Sequence, residues 1–104
     1  MALSVCPQAV FPADVTLTLN GSAQKLVDRN PLRSHLQFQA PADAAITYSY
    51  TNATPNDPAG TLLTGCYTLA AGATFGPSTS VPGSAIYING GSTGSGKLLI
   101  ATEC

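Results

Sequence analysis

The sequence predicts an all-β chain, an antiparallel β-sandwich or jelly-roll-like small barrel of about seven or eight strands. Three observations predict it. Apolar and polar residues alternate with period two almost throughout. Turn-forming clusters of Gly, Pro, Asn and Asp interrupt that alternation roughly every 8–12 residues. No window of about 11 residues carries an apolar stripe of helical period, so at most one helical turn is expected, near residues 28–32.

The elements follow in order. Asp14 to Asn20 is a half-buried strand, with Val15, Leu17 and Leu19 on one face and Thr16 and Thr18 on the other. Asn20-Gly21 reaches positive φ at little cost and favours a tight hairpin turn. The return strand is Ser22 to Asp28, where Ala23, Lys25 and Val27 oppose Gln24 and Leu26 in a poorer alternation. Arg29 to Arg33 is a corner, because Pro31 cannot donate to a ladder and holds Asn30 extended. Ser34 to Ala40 alternates cleanly, Leu36 and Phe38 inward, His35, Gln37 and Gln39 outward. After the Pro41-Ala42-Asp43 turn, Ala44 to Thr51 places Ile46, Tyr48 and Tyr50 on one face.

Thr51 to Gly60 holds the densest loop signal, and Pro55 and Pro58 predict a stiff excursion there. Leu62 to Leu69 and Ala73 to Phe75 read as shorter strands about an Ala70-Ala71-Gly72 turn, and Gly76 to Gly83 as a loop. Ala85 to Asn89 and Lys97 to Glu103 are the last strands, joined by a flexible Gly/Ser hairpin loop. Residues 1–13 form an extended arm, and residues 14–104 one sandwich domain.

Charge is the unusual part of the composition. Asp, Glu, Lys and Arg make up 9% of the 104 residues, against 44% hydrophobic. A soluble domain commonly devotes about a quarter of its residues to charge. Charges keep surfaces apart, and Lys in particular blunts strand edges. A strand-built chain without them is expected to be covered by other subunits.

The four cations are scattered among five acids for a net charge of -1, which argues against nucleic acid as a partner. No apolar run reaches the roughly 18–20 residues of a membrane helix, and the first residues lack a basic, then apolar, export pattern, so cytoplasmic synthesis is expected. Cys6, Cys66 and Cys104 form an odd set without Cys-x-x-Cys spacing. Three reduced thiols, with Cys66 a small core residue, is the expected state; a Cys6–Cys104 disulfide stays open as the alternative.

No residue pattern specifies chemistry. Gly91-Ser-Thr-Gly-Ser-Gly-Lys97 satisfies the first seven positions of a phosphate-binding P-loop. Its eighth residue is Leu98 where magnesium needs Ser or Thr, and the β-patterned tail beyond it is too short for the helix. His35 is the one histidine, and there is no Gly-x-Ser-x-Gly elbow to raise a nucleophile and no zinc-ligand spacing. The acids stand one to a turn or strand end, where Asp serves local backbone hydrogen bonds. The loop over residues 52–57 has one acid, too little charge for calcium. Asn20-Gly21-Ser22 and Asn52-Ala53-Thr54 match the glycosylation triplet, without an export signal to support it. Tyr48, Tyr50, Tyr67 and Tyr87 are expected in the core with hydroxyls at the sheet edge, with sugar stacking as the other reading. The chain is expected to be no enzyme and to hold no cofactor or metal.

Asn30-Pro31-x-Arg33-x-x-Leu36-x-Phe38-Gln39, followed by a Tyr-bearing strand, resembles small virion proteins of tailed bacteriophages. The resemblance begins at the Val-Thr-Leu-Thr strand of residues 15–18. It continues through Leu69-Ala-Ala-Gly-Ala-Thr-Phe75 and Val81-Pro-Gly-Ser-Ala-Ile-Tyr-Ile88 to Ala101-Thr102-Glu103. The sequence departs from that pattern at the two-proline loop, the Cys6-bearing arm and Cys104. The resemblance implies a non-enzymatic β-sandwich of the virion, a capsid decoration (cement) or minor capsid protein. It would be assembled in the host cytoplasm as a homotrimer with the major capsid protein as partner. The interface residues expected on this reading are Arg29 and Arg33 at the corner and Cys6 and Phe11 in the arm. A carbohydrate- or receptor-binding module, or a head–tail connector or tail component, is the alternative.

Overall fold

The computed structural model describes residues 13–31, 33, 35–76 and 83–103. Eight strands form in chain order: β1 (Ala13–Thr18), β2 (Ala23–Val27), β3 (Leu36–Gln39), β4 (Ile46–Ser49), β5 (Cys66–Leu69), β6 (Thr74–Phe75), β7 (Ile86–Asn89) and β8 (Leu98–Glu103). A single helical turn, α1 (Gly91–Gly94), precedes β8. Two four-stranded antiparallel sheets result, in the orders β1-β8-β3-β6 and β2-β7-β4-β5.

The pairings are nested: β1 with β8, β2 with β7, β3 with β6, β4 with β5. The further pairs β8 with β3 and β7 with β4 close these into two sheets. Every connection except β4–β5 therefore crosses from one sheet to the other. This is the double-sheet jelly roll, the all-β architecture expected from period and turn spacing.

The inward faces meet in one core. Leu19, Leu36, Phe38, Ile46, Ile86, Ile88 and Leu99 are almost wholly buried, with Ala40 and Ala101 filling between them. Each large side chain so buried contributes roughly 1.5–3 kcal/mol. The expected inward sets Leu36/Phe38 and Ile46/Tyr48/Tyr50 all lie in this core or against it. The poor alternation of β2 has a physical cause. Its register shifts between Lys25 and Val27, a bulge that lets the adjacent Leu26 and Val27 both be buried.

Three expectations are corrected. Asn20-Gly21 does not close a hairpin: Gly21 has φ 85°, but β1 and β2 lie in different sheets. The dipeptide supplies the reversal, and burial chooses the partner, because the apolar faces of β1 and β2 meet the core by stacking in two layers. Residues 90–97 likewise link two sheets and are no loose hairpin loop. Gly91 and Gly94 are buried, and Leu19 is bracketed by backbone bonds, donating to the Lys97 carbonyl at 2.9 Å and accepting from the Gly96 N–H at 2.7 Å. The helical turn falls there too, while residues 30–33 close a tight turn through Arg33 N–H to the Asn30 carbonyl, 3.0 Å.

Candidate interaction surface

The two sheets treat their outer faces differently. On the β2-β7-β4-β5 sheet the outward residues Thr47, Ser49, Cys66 and Asn89 are polar or small, yet buried, while Lys25 and Thr68 on the same face are exposed. The loop over residues 50–65 lies across the buried four. Asn89 Nδ2 donates to the Pro55 carbonyl at 2.9 Å, Ser49 Oγ to the Gly65 carbonyl at 2.7 Å, and Thr47 Oγ1 to the Asn56 carbonyl. Ser49 Oγ in return accepts from the N–H groups of Thr51 and Asn52. Asn56 Oδ1 holds Leu63 N–H at 3.0 Å across the loop. Among the described residues no buried side-chain nitrogen or oxygen lacks a partner, as burial of polar groups requires. The two-proline excursion is thus a cover, and Cys66 is a buried free thiol beneath it.

The other sheet has no such cover among the described residues. Its outer face is set by cross-strand pairs: Asp14 opposite Thr102, Thr16 opposite Ile100, Thr18 opposite Leu98, Gln37 opposite Thr102, and Gln39 opposite Thr74. Leu98 and Ile100, on β8, are 57% and 55% exposed there. Thr16, Thr18, Gln37, Gln39 and Thr74 are exposed around them, and none of these side chains is charged. Leu98, Ile100 and Thr102 border a shallow groove that continues past Gln37 and Gln39 to the turn at Pro41. The nearest ion pair stands at its end, where Lys97 Nζ meets Asp43 Oδ2 at 3.0 Å and holds that carboxyl below the usual carboxylate range. Sequence reasoning missed Leu98 and Ile100. Their signal was the unbroken apolar run Leu98-Leu99-Ile100-Ala101, the pattern of a strand covered on both faces.

A second feature lies where β5 and β6 end their sheets. Phe38 and Phe75 stack at 4.6 Å, Tyr48 packs edge-on against both, and Tyr67 stacks on Tyr48 at 5.4 Å. Tyr50 lies against Tyr48, Tyr67 and Phe75. Burial, then the neighbouring Tyr48 and Tyr67, pushes the Tyr50 hydroxyl up to about 12. The four tyrosines therefore divide. Tyr48 and Tyr50 are half-buried in the cluster, Tyr67 is 48% exposed, and Tyr87 stands apart on β7.

Of the residues expected at an interface, Arg29 is exposed and Arg33 is not. Arg33 is 6% exposed, donating from Nη2 to the Asp28 carbonyl at 2.6 Å and from Nη1 to the Ser84 carbonyl at 3.0 Å. It holds the corner from inside, because one guanidinium can donate to several carbonyls at once. Cys6, Phe11 and the rest of the arm up to residue 12 lie outside the described residues, as does Cys104.

The P-loop likeness dissolves into packing. Its helical turn spans only Gly91–Gly94, and Lys97 is engaged by Asp43. The Asp57 carboxylate fills the space beside Gly91, where a β-carbon would stand 2.5 Å from Asp57 Oδ1. Among the described residues no three His, Cys, Asp or Glu side chains converge. No described helix is long and apolar enough to cross a membrane. Compared with known protein families, curated proteins and solved structures, the chain matches none.

Proposed function

We propose that the chain is a non-enzymatic structural protein of a tailed-phage virion, a capsid decoration or minor capsid protein. It would bind the outer shell of the major capsid protein and, as a homotrimer, staple neighbouring subunits. The observation that carries the reading is the run of exposed, uncharged side chains on the outer face of the β1-β8-β3-β6 sheet, Thr16, Thr18, Gln37, Gln39 and Thr74 about Leu98 and Ile100. On the opposite sheet the chain's own loop covers Thr47, Ser49 and Asn89. A surface of Thr, Gln, Leu and Ile can be buried against a partner without the desolvation cost of an ion. The fold itself is neutral on function, since jelly rolls serve many.

Purified protein mixed with expanded, undecorated heads should bind saturably and stoichiometrically, and imaging should place it on the shell. Protein that stays in the supernatant while other head proteins bind, or that localises to a connector or tail ring, would overturn the shell assignment.

A second reading rests on Tyr67, whose exposed ring, stacked on Tyr48, offers a platform for a sugar. A glycan array with wild type and Tyr67→Ala separates it from the first: glycan binding lost in the variant would favour a carbohydrate-binding module.

A further inference from the structure

The chain contains two Asn-Gly dipeptides, Asn20-Gly21 and Asn89-Gly90. Glycine after asparagine leaves its backbone nitrogen uncrowded and its torsions free, the condition under which that nitrogen can reach the asparagine side chain. The two sites share one local geometry. Asn20 Oδ1 accepts from Ser22 N–H at 2.9 Å, and Asn89 Oδ1 accepts from Gly91 N–H at 2.7 Å. Each bond folds the side chain over the following peptide and polarises its carbonyl. A donor on Oδ1 is placed where negative charge develops when a nucleophile adds to Cγ.

Their surroundings differ completely. Asn20 is exposed on the corner between β1 and β2, and among the described residues its Nδ2 has no hydrogen-bond partner. Asn89 is 7% exposed, and its Nδ2 is bound to the Pro55 carbonyl under the covering loop. Its backbone pairs with both Ala23 and Thr47, and the Gly90 backbone is pressed against Leu19, so neither can rotate without breaking the ladder or the core.

We propose that Asn20 is a site of spontaneous deamidation and that Asn89, with the same dipeptide and the same side-chain turn, is protected by the fold. In the first step the Gly21 nitrogen bonds to Asn20 Cγ and the Cγ–Nδ2 bond breaks. Nδ2 leaves as ammonia with the proton that Gly21 gives up, and a cyclic imide remains. Water then opens the imide at either carbonyl, yielding aspartate or isoaspartate; no oxidant or reductant takes part. Either product adds one negative charge, taking the formal net charge from -1 to -2 on a chain otherwise poor in charge. Isoaspartate also lengthens the backbone by one carbon at the corner. Gln24 spans that corner, accepting from Asn20 N–H at 3.0 Å and donating to the Thr18 carbonyl at 3.1 Å.

The folded full-length protein, held at mildly alkaline pH and physiological temperature, tests this by peptide mapping over time. The Asn20 peptide should gain about one dalton and split into aspartate and isoaspartate forms, faster at higher pH. The Asn89 peptide should change more slowly by on the order of tenfold or more, the factor set by its buried hydrogen bond. In denaturant the two rates should converge. Equal rates in the folded protein, or an Asn20 peptide that stays unchanged while it reacts in denaturant, would overturn the proposal. Asn20→Gln, which lengthens the side chain without adding charge, should abolish the mass gain at that peptide.

Discussion

A β-carbon on Gly90 would stand 2.7 Å from Leu19 Cδ1, closer than such atoms pack, so the two residues fit only because one has no side chain. Gly90 has φ -90° and ψ -8°, values open to any residue, so the requirement for glycine here is purely steric. Gly90→Ala should therefore destabilise the fold by overpacking, by about 1–3 kcal/mol. Leu19→Ala alone should cost about 2–5 kcal/mol through its cavity. In urea unfolding the double variant should lose less than the sum of the two; strict additivity would show that the clash is relieved elsewhere.

The two arginines of the corner should behave oppositely. Arg33→Met removes charge-assisted bonds to the Asp28 and Ser84 carbonyls, each worth about 1.5–3 kcal/mol, and should lower the melting temperature clearly. Arg29→Ala, at an exposed position, should stay within about 0.5 kcal/mol of wild type. Similar effects from both would contradict the inward placement of Arg33.

Tyr50 makes stability sensitive to alkaline pH. Burial raises its hydroxyl from 10.0 to about 12, so the folded state favours the neutral form. The contribution is complete below the unfolded value near 10, and it is lost as pH rises toward 12. Tyrosinate absorbance of the folded protein should show a late-titrating phenol that disappears in Tyr50→Phe. The same variant should flatten the alkaline fall in stability; a fall unchanged in Tyr50→Phe would assign it to another group.

These residues also mark where sequence was legible. Period two along Leu36-Gln-Phe-Gln39 and Ile46-Thr-Tyr-Ser49 located the strands and their inward faces, because alternation is a local property of a half-buried strand. Partners were not local. Asn20-Gly21 encodes a reversal and is silent on whether the chain returns beside itself or over itself. Burial of Leu19 against Gly90 and Gly94, residues far along the chain, settles that in favour of layering. Arg33 read as a surface charge because nothing in its neighbours announces the carbonyls of Asp28 and Ser84. The cover over Thr47, Ser49 and Asn89 was half legible: prolines and asparagines signalled a stiff loop, but its seat depends on the sheet order.

Whether the bare sheet face is the contact surface is best decided by co-sedimentation of Ile100→Lys with undecorated heads. The side chain is exposed, so the variant should fold and melt like wild type, within about 0.5 kcal/mol. A lysine there would have to lose its hydration in the contact, so binding should fall by at least about tenfold, while Tyr67→Ala binds as wild type. Undiminished binding by a folded Ile100→Lys would contradict the assignment of this face.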